Sequence, residues 1–121
     1  MEKIQIKGRL GTNPNLQMTQ HGEQILTFPI ALNSQYKNKR GITITKPNWH
    51  QVIICRKDKF EMILEFLKKG KLVEIHGTLS FSVLKNKYGK EKKNPIIFIK
   101  DEDDNIGFPQ RSSFLPMYYN N

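Results

Sequence analysis

From Gln24 to Lys57 the chain carries no acidic side chain, yet it holds Lys37, Lys39, Arg40, Lys46, Arg56 and Lys57, with Tyr36 and Trp49 among them. Cations without acidic neighbours keep an uncancelled positive field. Flat aromatic rings offer surfaces on which unpaired bases stack. A second basic run, residues 85–94, sets Lys85, Lys87, Lys90, Lys92 and Lys93 against Glu91 alone, with Tyr88 inside it. Lysine and arginine neutralise phosphates, and aromatics take up exposed bases. The chemistry implied is recognition of a single-stranded nucleic acid. The plainer alternative is a solvated, lysine-rich surface. Clustering of the cations around aromatics favours binding.

No other chemistry is legible. His21, His50, His76 and Cys55 fall on separate elements without metal-ligand spacing, so neither a metal nor another cofactor is expected. We find no nucleophile–base arrangement and no glycine-rich phosphate loop, so the chain is not expected to be an enzyme. Cys55 is the only cysteine. An intramolecular disulfide is therefore excluded, which fits a cytoplasmic location. No apolar run reaches membrane-spanning length, and the N-terminus lacks the core of a signal peptide, so no membrane partner is expected.

These residues need elements to position them. A chain of 121 residues makes one domain. Residues 1–100 carry 19 Lys/Arg against 7 Asp/Glu, whereas residues 101–121 carry one Arg against four acids. The net charge of +9 therefore understates the basicity of the body. We expect a binding domain over residues 1–100 and a short tail over 101–121, acidic and then apolar. In that tail Phe114, Leu115, Met117, Tyr118 and Tyr119 are available to dock on the domain or on a partner.

In residues 3–10, Ile4, Ile6 and Leu10 alternate with Gln5, Lys7 and Arg9, the pattern of a half-buried strand. Gly8 suits a bulge or a tight bend. Residues 24–32 read as a second strand, with Pro29 implying an edge or bulge position because it cannot donate to a ladder. Residues 36–47 read as a polar hairpin-like connection turning at Gly41, and residues 48–55 as a third strand. Alternation there puts Trp49, Gln51, Ile53 and Cys55 on one face and His50, Val52 and Ile54 on the other. A lone tryptophan in a strand suits a core as well as a stacking surface, so Trp49 stays open between the two. Phe28, Phe60, Phe81 and Phe98 are expected in the core.

Residues 58–69 form the one expected helix. Asp58 and Glu61 have capping-box spacing, and Phe60, Ile63, Leu64 and Leu67 make its apolar stripe, with Met62 and Phe66 lying off it. Gly70 is a good stop. Residues 71–84 form a fourth strand bending at Gly77, and residues 95–100 a fifth, joined by the basic run turning at Gly89. The fold is therefore all-β with one helix, a five-stranded OB-fold barrel with the helix between strands three and four. In such a barrel the face around strands two and three and the loops between strands one–two and four–five hold the ligand. Both basic runs flank that face.

Particular segments also resemble the bacterial single-stranded DNA-binding protein (SSB) family. Lys3 to Pro14 is similar to its opening strand and G-x-L-G-x-D-P turn, with Asn13 in place of Asp. Asn48-Trp49-His50-Gln51-Val52 is similar to its E-W-H-R-V segment, and Leu67 to Leu79 to its L-x-K-G-x-x-V-x-I-E-G-x-L segment. The resemblance covers roughly residues 3–100. It implies a homotetramer of OB folds that wraps single-stranded DNA in replication, recombination and repair. It gives Trp49 a stacking role and puts Tyr36 where the family often has a stacking Trp. Cys55 stands where a stacking Phe is frequent, and Leu84 where a stacking Trp is. Loss of two platforms shifts affinity towards charge.

The expected nucleic-acid-binding set is Tyr36, Lys37, Lys39, Arg40, Lys46, Trp49, Arg56, Lys85, Lys87, Tyr88, Lys90, Lys92 and Lys93. Two alternatives stand beside the single-strand binder. One is a dimeric, primosome-type OB accessory. The other is an interaction protein that recruits replication enzymes through its tail, with weak DNA binding. Asp103 to Phe108 faintly resembles the family's acidic partner-recruiting tip, but an acidic turn after the last strand is the stronger reading.

Overall fold

The computed structural model describes residues 2–109, apart from the side chains of residues 33–36. Seven strands and one short helix follow in the order β1 (Glu2–Leu10), β2 (Asn15–Met18), β3 (Gln24–Lys37), β4 (Thr43–Ile54), a 3-10 turn (Lys57–Lys59), α1 (Phe60–Phe66), β5 (Leu72–Lys85), β6 (Glu91–Ile99) and β7 (Asn105–Gly107). Five of the strands close a ring. β1 pairs with β3, β3 with β4, β4 with β6, β6 with β5, and β5 again with β1. Only β4 and β6 run parallel. This is the expected five-stranded OB barrel. The short strands β2 and β7 add to β3 and β5 without entering the ring.

Alternation fills the barrel. Leu26, Phe28 and Ile30 of β3, Val52 and Ile54 of β4, Val73 and Ile75 of β5, and Ile97 and Ile99 of β6 all point inward and are buried. A stagger this tight needs close backbone crossings, and two glycines supply them. A β-carbon on Gly8 would come within 2.5 Å of the Ala31 carbonyl, and one on Gly77 within 2.8 Å of the Phe98 carbonyl. Pro29 lies within β3 opposite Gln51. Its carbonyl accepts the Gly11 N–H at 2.8 Å. Its nitrogen therefore faces the side where β1 has just ended, and the missing N–H costs no ladder bond.

The helix is shorter than the spacing predicts. Leu67 already has an extended backbone and seals the barrel end with Ile63, both fully buried. Phe60 and Met62 pack against the same core, while Leu64 and Phe66 are exposed. The expected capping box is absent. Lys59 is the cap residue and makes no side-chain cap bond, because Asp58 is engaged by Arg56 instead. Asn13 ties the β1–β2 turn to the end of this segment by accepting the Lys69 N–H at 2.8 Å.

The strands are longer than expected. β3 and β4 continue as a paired ribbon through Lys37 and Thr43, and β5 and β6 through Lys85 and Glu91. The hairpin-like connection expected over 36–47 is largely strand. Two phenylalanines also depart from expectation. Phe28 and Phe60 belong to the core, but Phe81 is 52 % exposed. Phe98 alternates with the buried Ile97 and Ile99 and so lies on the outer face. Beyond β6 the chain makes the expected acidic turn at Asp101–Asp104, then pairs residues 105–107 with β5. The apolar residues Phe114 to Tyr119 lie outside the described part of the chain.

Candidate nucleic-acid interface

The outer face of β4, β6 and β5 is the floor of the site. Register places Gln51 beside Ile96 and Ser80, and Ile53 beside Phe98. Thr78, next in the second row, is buried and donates its hydroxyl to Asp104 at 3.1 Å, so the acidic turn closes that end of the face. Trp49 stands at the top of this face, one alternation beyond Gln51 and opposite Ala31. It is 52 % exposed, which resolves the open question in favour of a surface ring. Its benzene edge rests on the backbone of Gly11, where a β-carbon would come within 2.5 Å of Cζ3. The edge of the ring is thus supported while half of the side chain meets solvent. His50 points to the other side, opposite Ile30.

Two basic ribbons rise beside this floor, and their tips share one construction. In Asn38-Lys39-Arg40-Gly41-Ile42 the Asn38 carboxamide oxygen accepts the N–H groups of Arg40 and Ile42 at 2.9 and 3.0 Å. In Asn86-Lys87-Tyr88-Gly89-Lys90 the Asn86 oxygen accepts those of Tyr88 and Lys90 at 2.9 and 3.0 Å. In both, the glycine N–H closes a turn onto the asparagine carbonyl at 3.0 Å. Both glycines are left-handed, with φ of 77° and 76°. This is a three-residue hairpin loop ending in a glycine bulge. The sequence signal for this construction is N-K-x-G, which occurs twice, at Asn38–Gly41 and Asn86–Gly89. The tips present Lys39 and Lys87 at equivalent positions, followed by Arg40 and Tyr88. The Lys87 ammonium lies 5.2 Å from the Tyr88 ring centre.

The remaining expected residues separate into groups. Lys37, Lys46, Lys85, Lys90, Lys92 and Lys93 are exposed along the two ribbons. Of Tyr36 only the backbone position opposite Ile44 is described. Leu84 and Lys92 share a face of the β5–β6 ribbon that runs on from the Trp49 side. Phe98, which sequence reading assigned to the core, joins the floor, with the Lys100 ammonium 5.8 Å from its ring centre. Cys55 borders the floor as a neutral thiol. Partial burial, reinforced by Glu23, pushes its pKa up.

Arg56, expected among the DNA-binding cations, is engaged within the chain. Its Nη1 donates to the carbonyls of Asp101, Glu102 and Asp104 at 3.1, 3.2 and 3.3 Å. Nε and Nη2 meet Asp58 at 3.2 and 2.8 Å. The guanidinium has five donors in a fixed fork; Nη1 holds the acidic turn, and Nε and Nη2 are taken by Asp58. Nearby, Lys3 Nζ sits among Asp101, Asp103 and Asp104 at 2.8, 3.1 and 2.8 Å. These contacts offset part of the turn's negative charge and pin it to Lys3 and Thr78.

A closed five-stranded barrel with a basic, aromatic outer face defines the oligonucleotide-binding class. The chain belongs to the single-strand binding protein family, whose family model matches residues 1–105. It is 28 % identical over 98 residues to the mitochondrial single-stranded DNA-binding protein of Drosophila melanogaster, covering 81 % of this chain and 66 % of that one. It is 28 % identical over 92 residues to the single-stranded DNA-binding protein of Neisseria meningitidis, covering 76 % and 52 %. The chain thus spans between half and two thirds of the length of these relatives. Among solved structures, the Plasmodium falciparum SSB complex with ssDNA superposes with a TM-score of 0.74 at 22 % identity, over 91 % of this chain and 96 % of that one. That likeness bears on the fold.

Proposed function

We propose that this chain is a non-catalytic protein that coats single-stranded DNA in replication, recombination and repair. The observation that carries this is Trp49, held half exposed against Gly11 on the outer sheet face between two lysine-rich ribbons. Phosphates follow Lys37, Lys39, Arg40 and Lys46 on one ribbon and Lys85, Lys87, Lys90, Lys92 and Lys93 on the other. Bases stack on Trp49, with Tyr36 and Tyr88 as further platforms. The reading is supported by membership of the single-strand binding family and by relatives whose names state that activity.

The working unit in this proposal is a homo-oligomer, with a tetramer favoured, acting in the cytoplasm. β1 supports self-association. It pairs with β5 from Glu2 to Arg9 but with β3 only at Arg9 and Leu10. Among the described residues, the other edge of Glu2–Lys7 pairs with no strand and is a template for a strand from a second copy. Among the same residues no helix is long and apolar enough to cross a membrane.

The test is a titration of Trp49 fluorescence with dT oligomers. Binding quenches the emission at low salt and weakens as salt rises, by about 0.7 log units in affinity per log unit of salt for each phosphate neutralised. Unchanged emission with no binding at low salt refutes the proposal.

A further inference from the structure

The β5–β6 ribbon has a second face, carrying Lys85 and Lys93, whose apolar side chains the site above does not use. Val73, Ile75 and Leu79 of β5 line the barrel, and the same side of the strand continues beyond the barrel mouth as Phe81 and Val83. There the burial ends. Phe81 is 52 % and Val83 50 % exposed. Their neighbours across the ladder are Pro95 and Lys93, and Lys85 follows on the same side. A half-exposed phenylalanine and valine on a lysine-rich ribbon need an occupant that is apolar in its flat parts and negative at its edges. A second copy laid on this face would bring two ribbons of like charge together, which opposes that pairing. A nucleobase attached to a phosphate satisfies both requirements.

We propose that Phe81 and Val83 form a second stacking surface for the bases of single-stranded DNA. The strand then contacts both faces of the β5–β6 ribbon, with Leu84 and Lys92 on one side and Phe81, Val83 and Lys93 on the other. The inference rests on the single-strand-binding reading and deepens it. Phe81 is a ring the barrel does not need for its own packing, so its substitution leaves folding intact.

The full chain and its Phe81→Ala, Phe81→Leu and Phe81→Trp variants are titrated with a long dT oligomer through Trp49 emission. Each chain is also weighed in solution without DNA. The expected result is a loss of affinity of about tenfold for Phe81→Ala, one stacked base, with the salt slope unchanged. Phe81→Leu stays weak because it restores apolar bulk without a ring, and Phe81→Trp binds like the parent. Three results overturn the inference: Phe81→Ala binding as tightly as the parent, Phe81→Leu recovering full affinity, or Phe81→Ala changing the subunit mass. The last assigns the face to a protomer contact. Failure of the parent chain itself to bind at low salt refutes the underlying reading, and is told apart because the variants then have no binding to lose.

Discussion

The benzene edge of Trp49 rests on the bare backbone of Gly11, with no room for a β-carbon between them. This contact couples the end of β1 to the aromatic ring of β4. It fixes the ring's height above the sheet while leaving half of it open. Gly11→Ala pushes the indole off its support without touching any cation. We expect weaker dT binding and a changed Trp49 emission, with the far-ultraviolet circular dichroism unaltered. Trp49→Ala sets the limit, a loss of roughly 1–3 kcal/mol. Gly11→Ala should fall short of it, and an unchanged affinity would show that the support is incidental.

The paired ribbon tips predict a different signature. Asn38→Ala leaves the N–H groups of Arg40 and Ile42 without their shared acceptor, and Asn86→Ala does the same for Tyr88 and Lys90. The groups are exposed, so water replaces the bond and global stability changes by less than about 1 kcal/mol. The tips loosen and ordering them on DNA costs more. Each variant should bind dT more weakly at an unchanged thermal midpoint. Lys87→Gln differs again, since losing one phosphate contact lowers the salt slope by about 0.7. Salt-series titrations of the three variants separate these effects.

Much of this was legible in the sequence because it rests on local pattern. Alternation gave the five long strands and the inward side chains of β4, and the glycines at 8 and 77 marked the crossings that close the barrel. The basic runs mapped onto the two ribbons. What escaped depends on long-range geometry. Phe81 and Phe98 fit an apolar pattern, but where the barrel ends and which side Phe98 takes are set by pairing register. Arg56 looked like one more cation in an acid-free window. The backbone carbonyls of 101–104 that it binds are distant in sequence and reach it only because β4 and β6 run side by side. Asp58 had the spacing of a cap but was nearer to Arg56.

The acidic turn sets the behaviour at low pH. Burial alone would raise the Asp104 carboxyl. The hydrogen bonds from Lys3, from the Asp101 and Lys100 N–H groups and from the Thr78 hydroxyl outweigh it and hold the pKa below the ordinary value. Asp58 is lowered too, by Arg56. A folded pKa below the unfolded one means that the unfolded chain takes up protons first as pH falls. Stability is therefore fully present above about pH 5, declines as pH passes the ordinary carboxyl value near 4, and keeps declining until the folded groups protonate. The pKa of Lys3 is raised by Asp101, Asp104 and Asp103, so its contribution is lost only in strong alkali. Asp104→Asn should lower stability at pH 7 by roughly 1–3 kcal/mol. The gap from the parent should narrow as pH falls below 4 in a series of thermal melts. A constant gap would show that the charge is not the stabilising element.

Arg56 gives the sharpest separation of structural from DNA-binding charge. Its head group is engaged by three carbonyls and one carboxylate. It holds the turn that returns the chain from β6 to pair β7 with β5. Arg56→Ala removes charge-assisted bonds from a half-buried site, leaves Asp58 unpaired and frees the carbonyls of Asp101, Glu102 and Asp104. The expected outcome is a drop in stability of roughly 2–3 kcal/mol with the dT salt slope unchanged at a temperature where both chains are folded. A phosphate-binding arginine behaves in the opposite way, lowering the slope by about 0.7 with little effect on the melt. Melting and salt-series titration of the same variant decide between the two, and Lys39→Gln on the ribbon tip serves as the phosphate-binding reference.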